Sequence, residues 1–114
     1  MRLLVDRKER LWDNSLMPRY DFIACYIMAN RKNGTLYVGV TSDLPTRIDQ
    51  HQSGTGSHFT GKYRCTKLIW YEQFDDMSAA MQREKRLKEW KRSWKTELIE
   101  KTNPHWDDLS LKWL

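Results

Sequence analysis

The sequence predicts an α+β domain: a three-stranded antiparallel sheet flanked by helices, one helix after the hairpin and two after the third strand. Three observations predict it. Aromatic and β-branched residues from Phe22 to Met28 and from Leu36 to Val40 bracket the turn-forming pair Asn33-Gly34, the pattern of a β-hairpin. A third stretch, Lys67 to Phe74, alternates apolar and polar residues and reads as a strand. Helix formers then run from Ser78 to Trp90 and from Ser93 to Lys101.

Taken in order, the first 19 residues set Arg2, Arg7, Lys8, Glu9 and Arg10 around Leu3, Leu4, Leu11 and Trp12. We expect an extension there, with a short helix over Val5 to Trp12 or a basic arm for nucleic acid, and a separate domain over 20–114. No apolar run reaches the length of a signal-peptide core or a membrane span, so a cytoplasmic protein that engages no membrane is expected. After the hairpin, Thr41-Ser42-Asp43 supplies capping residues and Pro45 suits a first helical turn, because its missing N–H would be unpaired there anyway. In that helix Arg47 and His51 lie four apart on one face, beside the apolar stripe Leu44 and Ile48. The glycine-rich run Gln52 to Arg64 is expected to be an open loop whose Lys62, Tyr63, Arg64 and His58 could touch a nucleic-acid backbone or simply face water.

Asp75-Asp76-Met77-Ser78 offers a turn and an N-cap for the helix from Ser78 to Trp90, whose apolar positions are Ala80, Met81, Leu87 and Trp90. Glu84 falls inside that stripe, where a bare charge would be costly. Two readings stand for it: a buried ion pair, or a ligand for a hard divalent cation. Lys88, Lys91, Arg92 and Lys95 extend a basic face, and the last helix should turn Trp94, Leu98 and Ile99 inward. Pro104 stops that helix, and Asn103 before it either closes the fold or supports a site.

Composition narrows the class of partner. In 114 residues, 20 Lys and Arg outnumber 15 Asp and Glu, giving a formal net charge of +5, so a polyanion such as nucleic acid is the natural partner. Six tryptophans and five tyrosines suit base stacking as well as core packing. Cys25 and Cys65 have neither the spacing of a zinc site nor that of a disulfide frame, and read as reduced thiols.

Two tyrosines on paired strands, with an arginine and a histidine on the next helix, suit phosphodiester chemistry. A strand tyrosine is ordinarily a packing residue, so the weight lies in the combination. It resembles the GIY-YIG nuclease superfamily. Ala24-Cys25-Tyr26 stands where that family has Gly-Ile-Tyr, and Tyr37-Val38-Gly39 where it has Tyr-Ile-Gly. Arg47, His51 and the glutamate of Arg83-Glu84-Lys85 follow in the family's order, and Asn103-Pro104-His105-Trp106-Asp107-Asp108-Leu109 is similar to the ending of its small stand-alone bacterial members. The likeness runs from about Tyr20 to Leu109 and extends to the N-terminal nuclease domain of the bacterial excision-repair endonuclease.

The resemblance implies a GIY-YIG-like nuclease domain that hydrolyses DNA, in repair or recombination. Glu84 would hold one Mg²⁺ or Mn²⁺, Arg47 would clamp a phosphate oxygen, and Tyr37 or His51 would orient and deprotonate water, with Tyr26 completing the network. Lys62, Tyr63, Lys88 and Arg92 become the candidate DNA contacts. RNA cleavage would share the chemistry. A chain this short shows no second domain for choosing a substrate, so a protein partner, or a binding module that cleaves nothing alone, is the alternative expectation.

Overall fold

The computed structural model describes residues 22–113. The expected extension, with its helix over Val5 to Trp12, lies outside the described residues. Strands β1 (Ala24–Ala29), β2 (Leu36–Thr41) and β3 (Lys67–Gln73) form an antiparallel sheet in the order β2-β1-β3. Helices α1 (Leu44–Ser53) and α2 (His58–Tyr63) separate β2 from β3. Helices α3 (Met77–Glu89) and α4 (Arg92–Thr102) follow β3, before a 3₁₀ turn over Leu109–Trp113.

Every residue of β1 is buried, because it is the central strand and both its faces are covered. Its side chains alternate accordingly. Cys25, Ile27 and Ala29 pack with Val38, Ile69, Leu87, Ile99 and Trp106 on one face. Ala24, Tyr26 and Met28 pack with Leu44, Ile48, Cys65 and Leu68 on the other. Helix α1 docks there through Leu44 and Ile48, as its apolar stripe predicts.

Asp43 caps α1, accepting from the Thr46 hydroxyl at 2.8 Å, and Gly54 ends the helix at φ 87°, where a side chain would be strained. The β1–β2 connection is the expected hairpin around Asn33-Gly34. It spans residues 30–35, and of its residues only Asn33 has positive φ, at 60°. The Asn30 side chain accepts the Thr35 N–H at 2.9 Å, and a Cβ on Gly34 would collide with that Asn30 oxygen. Close approach, not left-handed geometry, therefore requires glycine at 34.

The expected open loop at 52–64 is corrected. Ser57 accepts the Thr60 N–H at 3.1 Å and starts α2, while Arg64 closes it at φ 56°. Helix α3 is capped, within the expected capping run, by Asp76, whose carboxylate accepts the Ala79 N–H at 2.8 Å. Its inward stripe is Ala80, Glu84 and Leu87, and Met81 turns out to solvent at 53% exposure. Trp94 of α4, expected inward, is 49% exposed, while Ile99 is fully buried.

Candidate active site

Tyr26, in the middle of β1, stands directly opposite Gly39 on β2. A Cβ at Gly39 would come within 2.6 Å of the Tyr26 ring and hydroxyl and 2.9 Å of the Tyr37 ring. The missing side chain is the space in which both rings lie. Because Met28 pairs with Tyr37, the two tyrosines share a sheet face as diagonal neighbours, with ring centroids 6.3 Å apart.

Docked by Leu44 and Ile48, α1 brings Arg47 and His51 onto that face. His51 is completely buried. Its Nε2 lies 2.7 Å from the Tyr26 hydroxyl and its Nδ1 2.9 Å from the Thr60 hydroxyl of α2. Gly56 lies so close to the imidazole that a Cβ there would collide with it. Thr60 lies 2.9 Å from the Ser57 hydroxyl, so the chain of bonds runs from the sheet through His51 to the cap of α2. Tyr37 is half-buried, its ring edge-on to His51 at 5.3 Å.

Burial first, and then the Arg47 charge, pull the His51 pKa down to about 4. The ring is neutral at pH 7, with one nitrogen carrying a proton and the other accepting. Burial pushes the Tyr26 phenol well up; Arg47 beside it opposes that shift, while Tyr37 and Glu84 add to it. The Cys25 thiol is raised to about 12 by burial, reinforced by Glu84, so it is an inert core thiol. Cys65 is likewise buried, and both cysteines are free.

Glu84 lies on the inward stripe of α3, and its side chain is 21% exposed. The ion-pair reading is realised in part: the Lys88 ammonium stands 3.2 Å away, one helical turn on, with more than half its side chain in water. Such a pair is weak and easily exchanged. Among the described residues no group of three or more His, Cys, Asp or Glu could hold a metal ion. A cation would have to be held by the Glu84 carboxylate, with water and phosphate oxygens completing its shell. That donor set fits Mg²⁺, which keeps waters and commonly takes only one or two carboxylates beside substrate phosphates.

The other expected site residues fall in different places. Arg47 is half-buried beside Tyr26 and donates to the Gln50 amide oxygen at 2.9 Å. Lys62 and Tyr63 are exposed on α2, the ammonium 5.4 Å from the ring centroid. Arg92 donates to the Gly34 carbonyl at 2.6 Å, tying α4 to the hairpin. Asn103 is buried; it donates to the carbonyls of Ile69 and Asp107 and accepts the Asp107 N–H, so its bonds close the fold. Sequence reasoning missed Thr60 and Phe59. Ser57-x-x-Thr60 was a legible capping pattern, whereas Phe59 had no distinguishing signal.

The sequence pattern of the GIY-YIG catalytic domain matches residues 22–97, a span that contains Tyr26, Tyr37, Arg47, His51 and Glu84. The chain belongs to the GIY-YIG family. It is therefore a nuclease-type domain, of a superfamily that generally uses a divalent metal and acts on DNA. It is similar to small stand-alone proteins. A UPF0213 protein of Staphylococcus saprophyticus is 38% identical over 60% of this chain and 83% of its own length. One from Bacillus pumilus is 41% identical over 60% and 69%. The solution structure of a UPF0213 protein from Bacillus halodurans is 29% identical, covers 72% of this chain and 86% of its own, and superposes with a TM-score of 0.46. Among the described residues of this GIY-YIG chain, no helix is long and apolar enough to cross a membrane.

Proposed function

We propose that this GIY-YIG domain is a Mg²⁺- or Mn²⁺-dependent endonuclease that hydrolyses phosphodiester bonds in DNA. The observation that carries the reading is the convergence of Tyr26, Tyr37, Arg47 and His51 on one sheet face, with Glu84 a half-buried carboxylate on the inward stripe of α3. Bound at Glu84, the cation would supply charge neutralisation at the scissile phosphate and the leaving oxygen. Arg47 clamps a phosphate oxygen while keeping its proton. Tyr37, half-buried, orients the attacking water. His51 and Tyr26 are both fully buried and bonded to each other, so they brace the face on which the half-buried Tyr37 and Arg47 act.

One observation favours a second reading, a partner-dependent binding module: Lys88 already stands on Glu84. Nicking of supercoiled plasmid, with Mg²⁺, Mn²⁺ or EDTA, separates the two. Metal-dependent nicking is expected, falling about 100-fold or more in Glu84→Gln and Arg47→Ala, while Glu84→Gln still binds DNA. Salt-sensitive DNA binding without any nicking by the unaltered chain would sink the nuclease reading and leave the module.

A further inference from the structure

Two aromatic rings on α2 stand outside the catalytic cluster, and one of them, Tyr63, is an expected DNA contact whose mode of contact is open. Phe59 is 38% exposed and Tyr63 42% exposed, on a helix only six residues long. They lie four apart, so they share one outward face, opposite in role to Thr60, which is buried against His51. The rings touch each other, with centroids 4.8 Å apart. Phe59 also meets the Tyr37 ring, at 5.8 Å and a tilt of 33°. An unbroken run of rings therefore leads from the sheet outward: Tyr26, Tyr37, Phe59, Tyr63.

Its surroundings are basic. Between Asp49 and Glu72 the chain has no acidic residue and carries Lys62, Arg64 and Lys67. The Lys62 ammonium sits over the Tyr63 ring, ready to meet a phosphate beside a stacked base. The platform is also fixed in place. Thr60, between the two rings in sequence, is hydrogen-bonded to both His51 and the Ser57 cap, so α2 holds a set position relative to Tyr26.

We propose that Phe59 and Tyr63 form a stacking platform for unpaired nucleobases of single-stranded DNA, adjoining the scissile phosphate. Within a duplex both faces of each base are covered by neighbouring bases, so only an unpaired or splayed nucleotide can lay its face on these rings. The inference rests on the nuclease reading and adds a substrate class to it: DNA with unpaired nucleotides at the cleavage point, such as a single strand, a flap or a bulge. Exposed aromatics with a flanking cation would serve such a strand without choosing its sequence, since every base has a π-face.

The test uses the full-length chain carrying Glu84→Gln, so that binding is read without cleavage. The probes are a single-stranded DNA oligomer containing the fluorescent base 2-aminopurine, the blunt duplex of the same sequence, and the matching RNA oligomer. Tighter binding of the single strand is expected, with quenching of the fluorophore as it stacks. Phe59→Ala and Tyr63→Ala should each weaken single-strand binding about tenfold and remove the quenching, while duplex binding changes by less than about twofold. Tyr63→Trp should restore both signals. Phe59→Leu, which keeps apolar bulk without a ring, should behave like Phe59→Ala, which rules out collapse of α2 as the cause. Unchanged single-strand affinity in the alanine variants, or equal losses on duplex and single strand, would overturn the platform. Stronger binding and quenching with the RNA oligomer would overturn the assignment to DNA. If the platform signals hold while the unaltered chain never nicks DNA, the nuclease reading fails alone. If nicking is robust but indifferent to both rings, the platform fails alone.

Discussion

On one side of β1, Cys25, Ile27 and Ala29 meet Val38, Leu87, Ile99 and Trp106, an apolar layer closed by α3 and α4. On the other side, with the alternation of a strand, Tyr26 meets Tyr37 and His51 under α1. The two faces bury comparably large side chains but use them differently. The first holds almost nothing that needs a partner. The second buries a phenol and an imidazole, each of which must be paired. The bonds from Tyr26 through His51 to Thr60 and Ser57 meet that demand. Position and protonation state are thereby set together, so the polar layer reads as a prepared site and the apolar layer as its support.

The division can be broken from either side, most heavily from the support. Ile27→Ala on the packing face should cost about 2–5 kcal/mol of stability, a large part of what a domain this size possesses. Thermal denaturation would show it. Nicking per folded molecule should stay within about twofold, and a much larger loss would mean that the two faces are not independent.

Gly39→Ala should show the reverse balance. A Cβ 2.6 Å from the Tyr26 ring forces that ring, and with it the bond to His51, to shift. A stability cost of about 1–3 kcal/mol is expected, together with a loss of cleavage far beyond the unfolded fraction. Paired melting and nicking measurements on this variant would decide it. Normal nicking with a lowered melting temperature would show that Tyr26 need not sit where it does.

Where these residues sit could be read from local pattern, whereas their grouping as a site came from the family resemblance. The strand register follows from the alternation around Tyr26 and Tyr37, and the shared face of Arg47 and His51 follows from their spacing of four. Glu84 was legible as a charge in an apolar stripe, and it is half-buried there. What local pattern did not carry is what depends on contact between elements. Thr60 matters because α2 folds back onto His51, and Arg92 because α4 reaches the Gly34 carbonyl. The hairpin is where Asn33-Gly34 puts it, but the bond from the Thr35 N–H to the Asn30 side chain, which makes Gly34 a close-approach glycine, is a loop contact that the pair alone does not announce. Met81 and Trp94 are apolar by type, yet both are about half exposed, and Trp94 packs on Trp90 and Lys91 beside it.

A smaller effect tests the neutral imidazole. The His51 pKa is about 4 in the fold, against an ordinary 6.5, so between those values the unfolded chain binds more protons than the folded one. The stability that comes from keeping His51 neutral is therefore fully present above pH 6.5 and declines as pH falls toward 4. The slope is at most about 1.4 kcal/mol per pH unit. His51→Gln, which cannot ionise, should flatten that part of the curve in denaturant melts at pH 7, 6 and 5. An unchanged slope would place the acid sensitivity in other groups.

The smallest expected change sits at the boundary between the faces, where α3 carries Glu84. Lys88→Ala removes a pair whose ammonium is mostly in water, so stability should fall by less than about 1 kcal/mol. Its electrostatic consequence is opposite in sign. With the ammonium 3.2 Å from the Glu84 carboxylate gone, that oxygen is freer to hold a cation, and the Mg²⁺ concentration that half-saturates nicking should fall a few-fold. A Mg²⁺ titration of the variant beside the unaltered chain reads this directly. If the two curves coincide, Lys88 swings off into solvent whenever a cation binds, and its place on Glu84 is that of a neighbour on the helix, not a competitor for the site.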